Sequence, residues 1–334
     1  MSAQSAEPAR STEGALRVGI LLPTREAAMT GRHDATRLVD LAVRAERAGF
    51  DSVWTGDSPL ARTRLDPVAL LAAVSAVTTA VTVGTAALVA PLRHPVLAAH
   101  ALASVDQLSE GRLVVGVGAG FPSEETQREF DAVAMPYRGR VSALDGAVRA
   151  WRAGWAAPRS TDAFQPLPAA RPAGPPVWLA GGDTPRVLER AAAHYDGWLP
   201  FLPDSEAYAR AWPQLRARAD ELGRSVEPAM FATVALGSAL GTGADRAGAE
   251  LDDYVRAYYR RPLAEMATFQ AYRAGPAAEI LDWLGGYVAA GARHLVLRLG
   301  SFDSAGQLEQ LAEQVLPALR ATPPHPAVSA GSTS

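Results

Sequence analysis

The sequence predicts a (β/α)8 barrel, and three observations carry that expectation. Eight short apolar runs recur along the chain, and amphipathic helical stretches lie between them. The 334 residues are enough to close such a barrel, which takes roughly 250 or more. With 48% hydrophobic residues the chain can also bury a large core. An open doubly wound sheet is the alternative that the same alternation allows.

The strand-like runs are, in order, residues 17–22 (RVGILL), 52–55 (SVWT), 81–85 (VTVGT), 113–118 (LVVGVG), 176–180 (PVWLA), 197–200 (GWLP), 230–236 (MFATVAL) and 294–300 (HLVLRLG). Short continuous apolar runs suit parallel strands covered on both faces. Between the first two, residues 34–48 read as a helix. There Leu38, Leu41, Ala42 and Ala45 share one face and Gly49 supplies the stop. Asp34 and Asp66 stand at N-cap positions, the latter followed by Pro67 at the first helical position. Two segments interrupt the alternation. A Pro-rich stretch, 156–176, precedes the fifth strand, and an aromatic helical insertion, 237–275, follows the seventh. Both are expected over one rim, where insertions shape substrate pockets. The tails, 1–14 and 321–334, are rich in Ser, Pro and small residues and are expected to be disordered. That leaves one barrel domain over 15–320.

Composition removes several function classes. A net charge of −3 and a pI near 6.1 give no electrostatic footprint for nucleic acid. There is no cysteine, hence no disulfide frame and no thiolate site. Every basic residue is arginine, so a Schiff-base lysine and a P-loop are both excluded. No apolar leader and no long uncharged apolar run stands out, which makes a soluble cytoplasmic protein the expectation.

The chemistry-bearing stretches lie at strand ends. After the third strand comes VGTAALVAPLRHP, residues 83–95. Two alanines occupy a place where tight turns usually carry Gly, Asn or Asp, as if something flat must lie against the backbone. GVGAG at 116–120 lacks the full dinucleotide-binding spacing. Its glycines serve either a turning strand end, with Ser123 capping the next helix, or the close approach of a ring or phosphate. LAGGDTPRVLERAA at 179–192 places two glycines before a helix opened by Asp183 or Thr184 and Pro185. Free N–H groups at the positive end of that helix suit a phosphate, and a mere cap does not need both glycines.

Side chains for acid–base or metal chemistry are thin. His94 and His100 are six residues apart and so fall on different helix faces, which is no zinc pair. His194 fits a cation at a helix C-terminus. There is no G-x-S-x-G elbow. Asp57, in WTGDSP after the second strand, is a rim carboxylate that serves either function or a cap. Few reactive side chains, with room for a flat phosphorylated ligand, point to chemistry delegated to a cofactor.

Five stretches together resemble the bacterial luciferase-like superfamily of flavin- and deazaflavin-dependent oxidoreductases. They are residues 45–58, 83–95, 103–121, 176–198 and 275–297, in the family's order and spacing. The resemblance implies a barrel, dimeric in many members, with the cofactor in its C-terminal mouth. It implies a cis peptide at Ala86–Ala87 beneath the cofactor ring. It also implies cofactor contacts from Asp57, Gly118, Ala119 and Gly120, and a phosphate held by Gly181, Gly182, Asp183 and Thr184. Where many relatives have a catalytic histidine after the acidic residue of the second strand, this chain has Ser58, a poor base at neutral pH. Where luciferases proper carry an arginine for the flavin phosphate stands Ala119, which leaves the phosphate to the Gly181–Gly182 turn or to Arg186.

The leading expectation is a flavin-dependent monooxygenase, with Asp57 and Ser58 as its catalytic candidates and no metal. It would oxidise a small organic substrate with oxygen and reduced FMN supplied by a separate reductase. The alternatives are hydride transfer with an 8-hydroxy-5-deazaflavin coenzyme and its own reductase, and a non-catalytic flavin-binding protein. A homodimer is expected, with no nucleic-acid or membrane partner. Trp178, Trp198, Tyr258 and Tyr259 are either core residues or the wall of an apolar pocket.

Overall fold

A computed structural model describes residues 14–156, 168–237 and 243–321. It contains nine strands: β1 Arg17–Leu21, β2 Ser52–Thr55, β3 Thr82–Val89, β4 Leu113–Gly118, β5 Val177–Leu179, β6 Gly197–Trp198, β7 Glu227–Leu236, β8 Tyr272–Gly275 and β9 His294–Leu299. All neighbouring pairs are parallel. The order runs β6-β5-β4-β3-β2-β1-β9-β7, and pairing of β6 with β7 closes an eight-stranded ring. The open-sheet alternative is thereby excluded. Every C-terminal strand end faces one mouth, because every strand points the same way.

The predicted strands are all present, but β3 runs on to Val89, so that Ala86 and Ala87 lie within the strand rather than after it, and β7 begins at Glu227. The predicted helix at 34–48 spans Thr36–Arg47, and Ala35 rather than Asp34 is its N-cap. Asp34 instead accepts a hydrogen bond from the Thr36 hydroxyl at 2.5 Å. Asp66 caps the helix Pro67–Val77 through the N–H groups of Val68 and Ala69, as expected. Ser123 likewise caps Glu124–Ala132 through the Thr126 N–H.

β8 is the strand the sequence did not announce. It lies within the predicted helical insertion, downstream of the helices Gly243–Tyr259 and Leu263–Met266. β6 is only two residues long and pairs only with Glu227 and Pro228 of β7. The rest of that β7 edge needs hydrogen-bond partners. β8 supplies them from Thr233 to Leu236.

The two insertions part company. Helical residues of 243–271 roof the mouth, as predicted. The described part of the Pro-rich stretch lies at the opposite end, which corrects the expectation of a shared rim. Asp106, near the end of the helix Pro95–Leu108, accepts the Ala170 N–H at 2.8 Å. A segment that leads into a strand's N-terminus is delivered to the bottom of the barrel, whatever its length. Residues 157–167 and the expected disordered tails, apart from Gly14 and Ala321, fall outside the described residues.

The barrel interior is filled by Leu21, Trp54, Val114, Trp178, Leu199, Ala229 and Val296. The Trp54 and Trp178 ring centroids are 5.2 Å apart, and His294 meets both edge-on. Trp54 Nε1 donates to Ser52 Oγ at 2.7 Å, and Ser52 Oγ lies 2.7 Å from His294 Nε2. Burial pushes His294 well below its ordinary value. That shift favours the neutral ring beside the Ser52 hydroxyl. Trp178 and Trp198 thus belong to the core.

Trp54 also dictates its neighbour. A Cβ at Gly84 would stand 2.4 Å from the Trp54 ring, which is fully buried and has nowhere to move. Gly84→Ala should destabilise the fold by about 1–3 kcal/mol through overpacking. Gly285→Ala, in the helix Ala277–Ala289 with nothing within 4 Å of the added carbon, should stabilise it by about 0.5–1 kcal/mol. Urea unfolding of the two variants checks both signs, and a neutral Gly84→Ala would contradict the packing.

Candidate active site at the C-terminal mouth

The mouth holds a cavity of about 880 Å³. Its lining brings together Asp57 and Ser58 after β2, Ala86 and Ala87 of β3, and Ala180 after β5. Tyr258, Tyr259, Met266 and Phe269 cover it from the insertion, and Arg298 enters from β9. The Ala86–Ala87 peptide is cis, as the resemblance implied. It coincides with a register shift between Thr85 and Leu88 against β4.

The glycine stretch after β4 divides. Gly118 faces Ala87, whose Cβ lies 3.7 Å from where a Cβ on the glycine would stand. Ala119 is half-buried against the main core. Gly120, at φ +84°, turns toward Thr126 and Phe130 and serves the backbone rather than the cavity. The Gly181–Thr184 turn stands beside Ala180 at the mouth but does not itself line the cavity. Thr184 is the N-cap of the helix Pro185–His194, and no side chain caps that helix. A Cβ at Gly182 would meet nothing within 4 Å. The polypeptide's own packing therefore gives no reason for a glycine there. Asp183 and Arg186 are exposed beside it.

Asp57 is not a free carboxylate. Its side chain is 1% exposed and forms a bidentate pair with Arg93, at 2.5 and 3.1 Å. Oδ2 also accepts the Val89 N–H at 2.8 Å. Burial pushes its carboxyl up from the ordinary range, against the pull of Arg93. The pair ties the end of β2 to the end of β3, directly beyond Ala87.

Ser58 does not pair with Asp57. Its hydroxyl donates to Glu129 Oε1 at 3.0 Å and accepts the Arg62 N–H at 2.8 Å. The same Glu129 oxygen accepts the N–H groups of Leu60 and Ala61. Ser58 and Glu129 thus staple the loop after β2 to the helix Glu124–Ala132. Glu129 and Arg93 had no sequence signal of their own, because their partners are 71 and 36 residues away.

A second cluster lies on the β9–β1–β2 side of the mouth. Arg298 is 3% exposed. It donates to the Thr233 hydroxyl at 2.9 Å, to Tyr259 at 2.9 Å and to Tyr272 at 3.3 Å. Its guanidinium carbon lies 4.5 Å from the Tyr258 ring centroid, and that of Arg25 4.7 Å. Arg64 donates to the Tyr258 hydroxyl at 3.0 Å. Burial pushes Arg25 down to about 10. Burial raises the Tyr258 phenol, but Arg64 and Arg298 outweigh it and leave the group below its usual value. An arginine inside the otherwise apolar run HLVLRLG was the signal available for Arg298. Nothing local marks Arg25 or Arg64. Among the described residues no group of acidic and histidine side chains could hold a metal ion, and no helix is long and apolar enough to cross a membrane.

Arg93→Met should cost about 3–5 kcal/mol, because it leaves a buried carboxylate without its cation. The Asp57 carboxyl, already pushed up by burial, then holds its proton when folded at a pH where the unfolded chain has lost it. The loss should therefore grow as the pH rises from about 5 to about 8. Urea midpoints across that range check it, and a pH-independent loss would contradict it.

The chain matches the family described as luciferase-like monooxygenase over residues 16–322. It is 30% identical, over 320 residues, to an F420-dependent glucose-6-phosphate dehydrogenase of Kineococcus radiotolerans, covering 85% of this chain and 93% of that one. It is also 30% identical, over 157 residues, to the oxygenase component of a flavin-dependent trigonelline monooxygenase of Acinetobacter baylyi, covering 44% and 43%. Among solved structures, the monooxygenase RslO1 of Streptomyces bottropensis superposes with a TM-score of 0.70 at 22% identity, covering 91% of this chain and 99% of that one. With its closed parallel barrel and a match across nearly the whole described chain, the protein belongs to the luciferase-like monooxygenase family of oxidoreductases.

Proposed function

We propose that the protein transfers a hydride between an 8-hydroxy-5-deazaflavin coenzyme and a small organic substrate. One observation carries the general form of this reading. The floor of the mouth is small and smooth, while its polar candidates, Asp57 and Ser58, are already committed to Arg93 and Glu129. A site so built supplies shape and charge and leaves electron transfer to a bound coenzyme. The residues present fit such a group. Ala86 and Ala87 line the cavity with nothing larger than a methyl group where its ring would lie, and the uncapped helix after Gly182 offers N–H groups to its phosphate. When bound, the coenzyme supplies hydride exchange, which the side chains of this cavity do not.

The sequence put reduced FMN and oxygen first. Relatives matched over 85% of the chain are named F420-dependent, and they favour the deazaflavin. The flavin monooxygenase reading stays as the second one, supported by the shorter trigonelline monooxygenase match. In either case the chain's part is to bind and orient both molecules and to exclude water beneath the Tyr258–Phe269 roof.

Fluorescence titration of the purified protein with the deazaflavin and with FMN separates the readings. The deazaflavin should bind about tenfold or more tighter. Tighter FMN binding, with substrate-dependent oxygen uptake on its reduced form, would replace the proposal with the second reading. Gly182→Val should weaken the bound coenzyme about tenfold or more, by intruding on its charged hydrogen bonds. Unchanged affinity in the folded variant would remove the phosphate from that turn. Ser58→Ala should lower turnover by about tenfold or less, the cost of one hydrogen bond. A loss of about a hundredfold or more would make Ser58 part of the proton transfer.

A further inference from the structure

Among the described residues, no carboxylate oxygen lies within 4.0 Å of Arg25, Arg64 or Arg298. All three guanidinium groups surround Tyr258. Buried charges are ordinarily paired. Glu26 is the one acid whose field reaches Arg64 and Arg298, a single carboxyl against three guanidinium groups. Its Oε1 accepts from the Tyr254 hydroxyl, its Oε2 has no partner, and burial pushes its carboxyl up. The cluster therefore carries excess positive charge, and two of its arginines, Arg64 and Arg298, line the cavity.

Topology separates this charge from the place of the coenzyme phosphate. In the ring β1-β2-β3-β4-β5-β6-β7-β9, the strand β5 lies opposite β1. The Gly181–Thr184 turn follows β5, whereas Arg25 follows β1, Arg64 follows β2 and Arg298 belongs to β9. One mouth thus has two anion-seeking places on opposite arcs of the ring, and of the two the arginine cluster is the one that lines the cavity. A cavity of about 880 Å³ is large enough for a ring and a small second molecule.

We propose that the substrate is an organic anion, an apolar or aromatic body bearing one carboxylate or phosphate that docks on Arg64 and Arg298. Each guanidinium keeps unused N–H donors. Arg298 commits three, to Thr233, Tyr259 and Tyr272, and Arg64 two, to the Arg62 carbonyl and Tyr258. A guanidinium has five in a fork that suits a carboxylate or a phosphate. The apolar body is met by Phe201, Phe231, Tyr259 and Phe269. The inference rests on the oxidoreductase reading for the word substrate, but the anion site itself does not.

Calorimetric titration of the coenzyme-free protein with benzoate, phenyl phosphate and neutral benzamide is the test. Benzoate or phenyl phosphate should bind about tenfold or more tighter than benzamide, since a charged hydrogen-bonded contact is at stake. Which of the two anions binds tighter identifies the substrate's group. Arg64→Met, whose side chain is less enclosed than that of Arg298, should abolish the preference while leaving deazaflavin affinity unchanged. Equal binding of benzoate, phenyl phosphate and benzamide by the wild type would overturn the proposal, without any variant having to fold. A matching loss of deazaflavin affinity in Arg64→Met would also overturn it, by assigning the cluster to the coenzyme. An anion preference that disappears in Tyr258→Phe but survives in Arg64→Met would do the same. Failure of the wild type to bind either coenzyme would sink the oxidoreductase reading and leave the anion preference standing.

Discussion

The bidentate contact between Asp57 and Arg93 is the constraint on which the mouth depends. It joins the loop that follows β2 to the turn that follows β3, so the Ala86–Ala87 floor is held between two fixed segments. Two ions buried together cost desolvation, and the geometry must be good for their attraction to offset it. Here both carboxylate oxygens are engaged, and a backbone N–H adds to the pair. The Ser58–Glu129 staple extends the same framework to the next helix. Together these contacts turn the rim's polar groups into scaffolding. Asp57 and Ser58 thereby hold the shape of the site.

Against that neutralised wall stands one whose charge is not neutralised. Arg298 could have been paired with an acid from a neighbouring strand, and instead it is ringed by Tyr258, Tyr259, Tyr272 and Phe231. Aromatic faces and phenolic oxygens stabilise a guanidinium without cancelling its charge. The contrast between the two walls is chemical. One is satisfied within the chain, and the other keeps donors available to a ligand. The insertion after β7 creates the second wall, because it brings three of the four rings over the mouth. β8 fastens the insertion by its backbone to the edge that the short β6 leaves open.

What the sequence determined by itself was periodic or local. Eight apolar runs separated by amphipathic stretches specify parallel strands and covering helices, since each element must bury its own apolar face. The caps at Asp66 and Ser123, the cis peptide at Ala86–Ala87 and the open turn at Gly182 were equally legible, from short motifs or from the family resemblance. The tertiary structure alone decided the partners of each charge. Asp57 reaches Arg93 and Ser58 reaches Glu129 across 36 and 71 residues, and Arg298 meets Tyr259 across 39. No periodicity encodes such pairs. It likewise decided that the described part of the Pro-rich stretch, at Ala170 and Arg171, docks on Asp106 and that Tyr272 begins a strand. The second outcome depends on the stretch of the β7 edge that the short β6 leaves unpaired. A side chain's chemistry is written in its residue type, but whether that chemistry is spent inside the protein or offered to a ligand depends on what the closed ring places beside it.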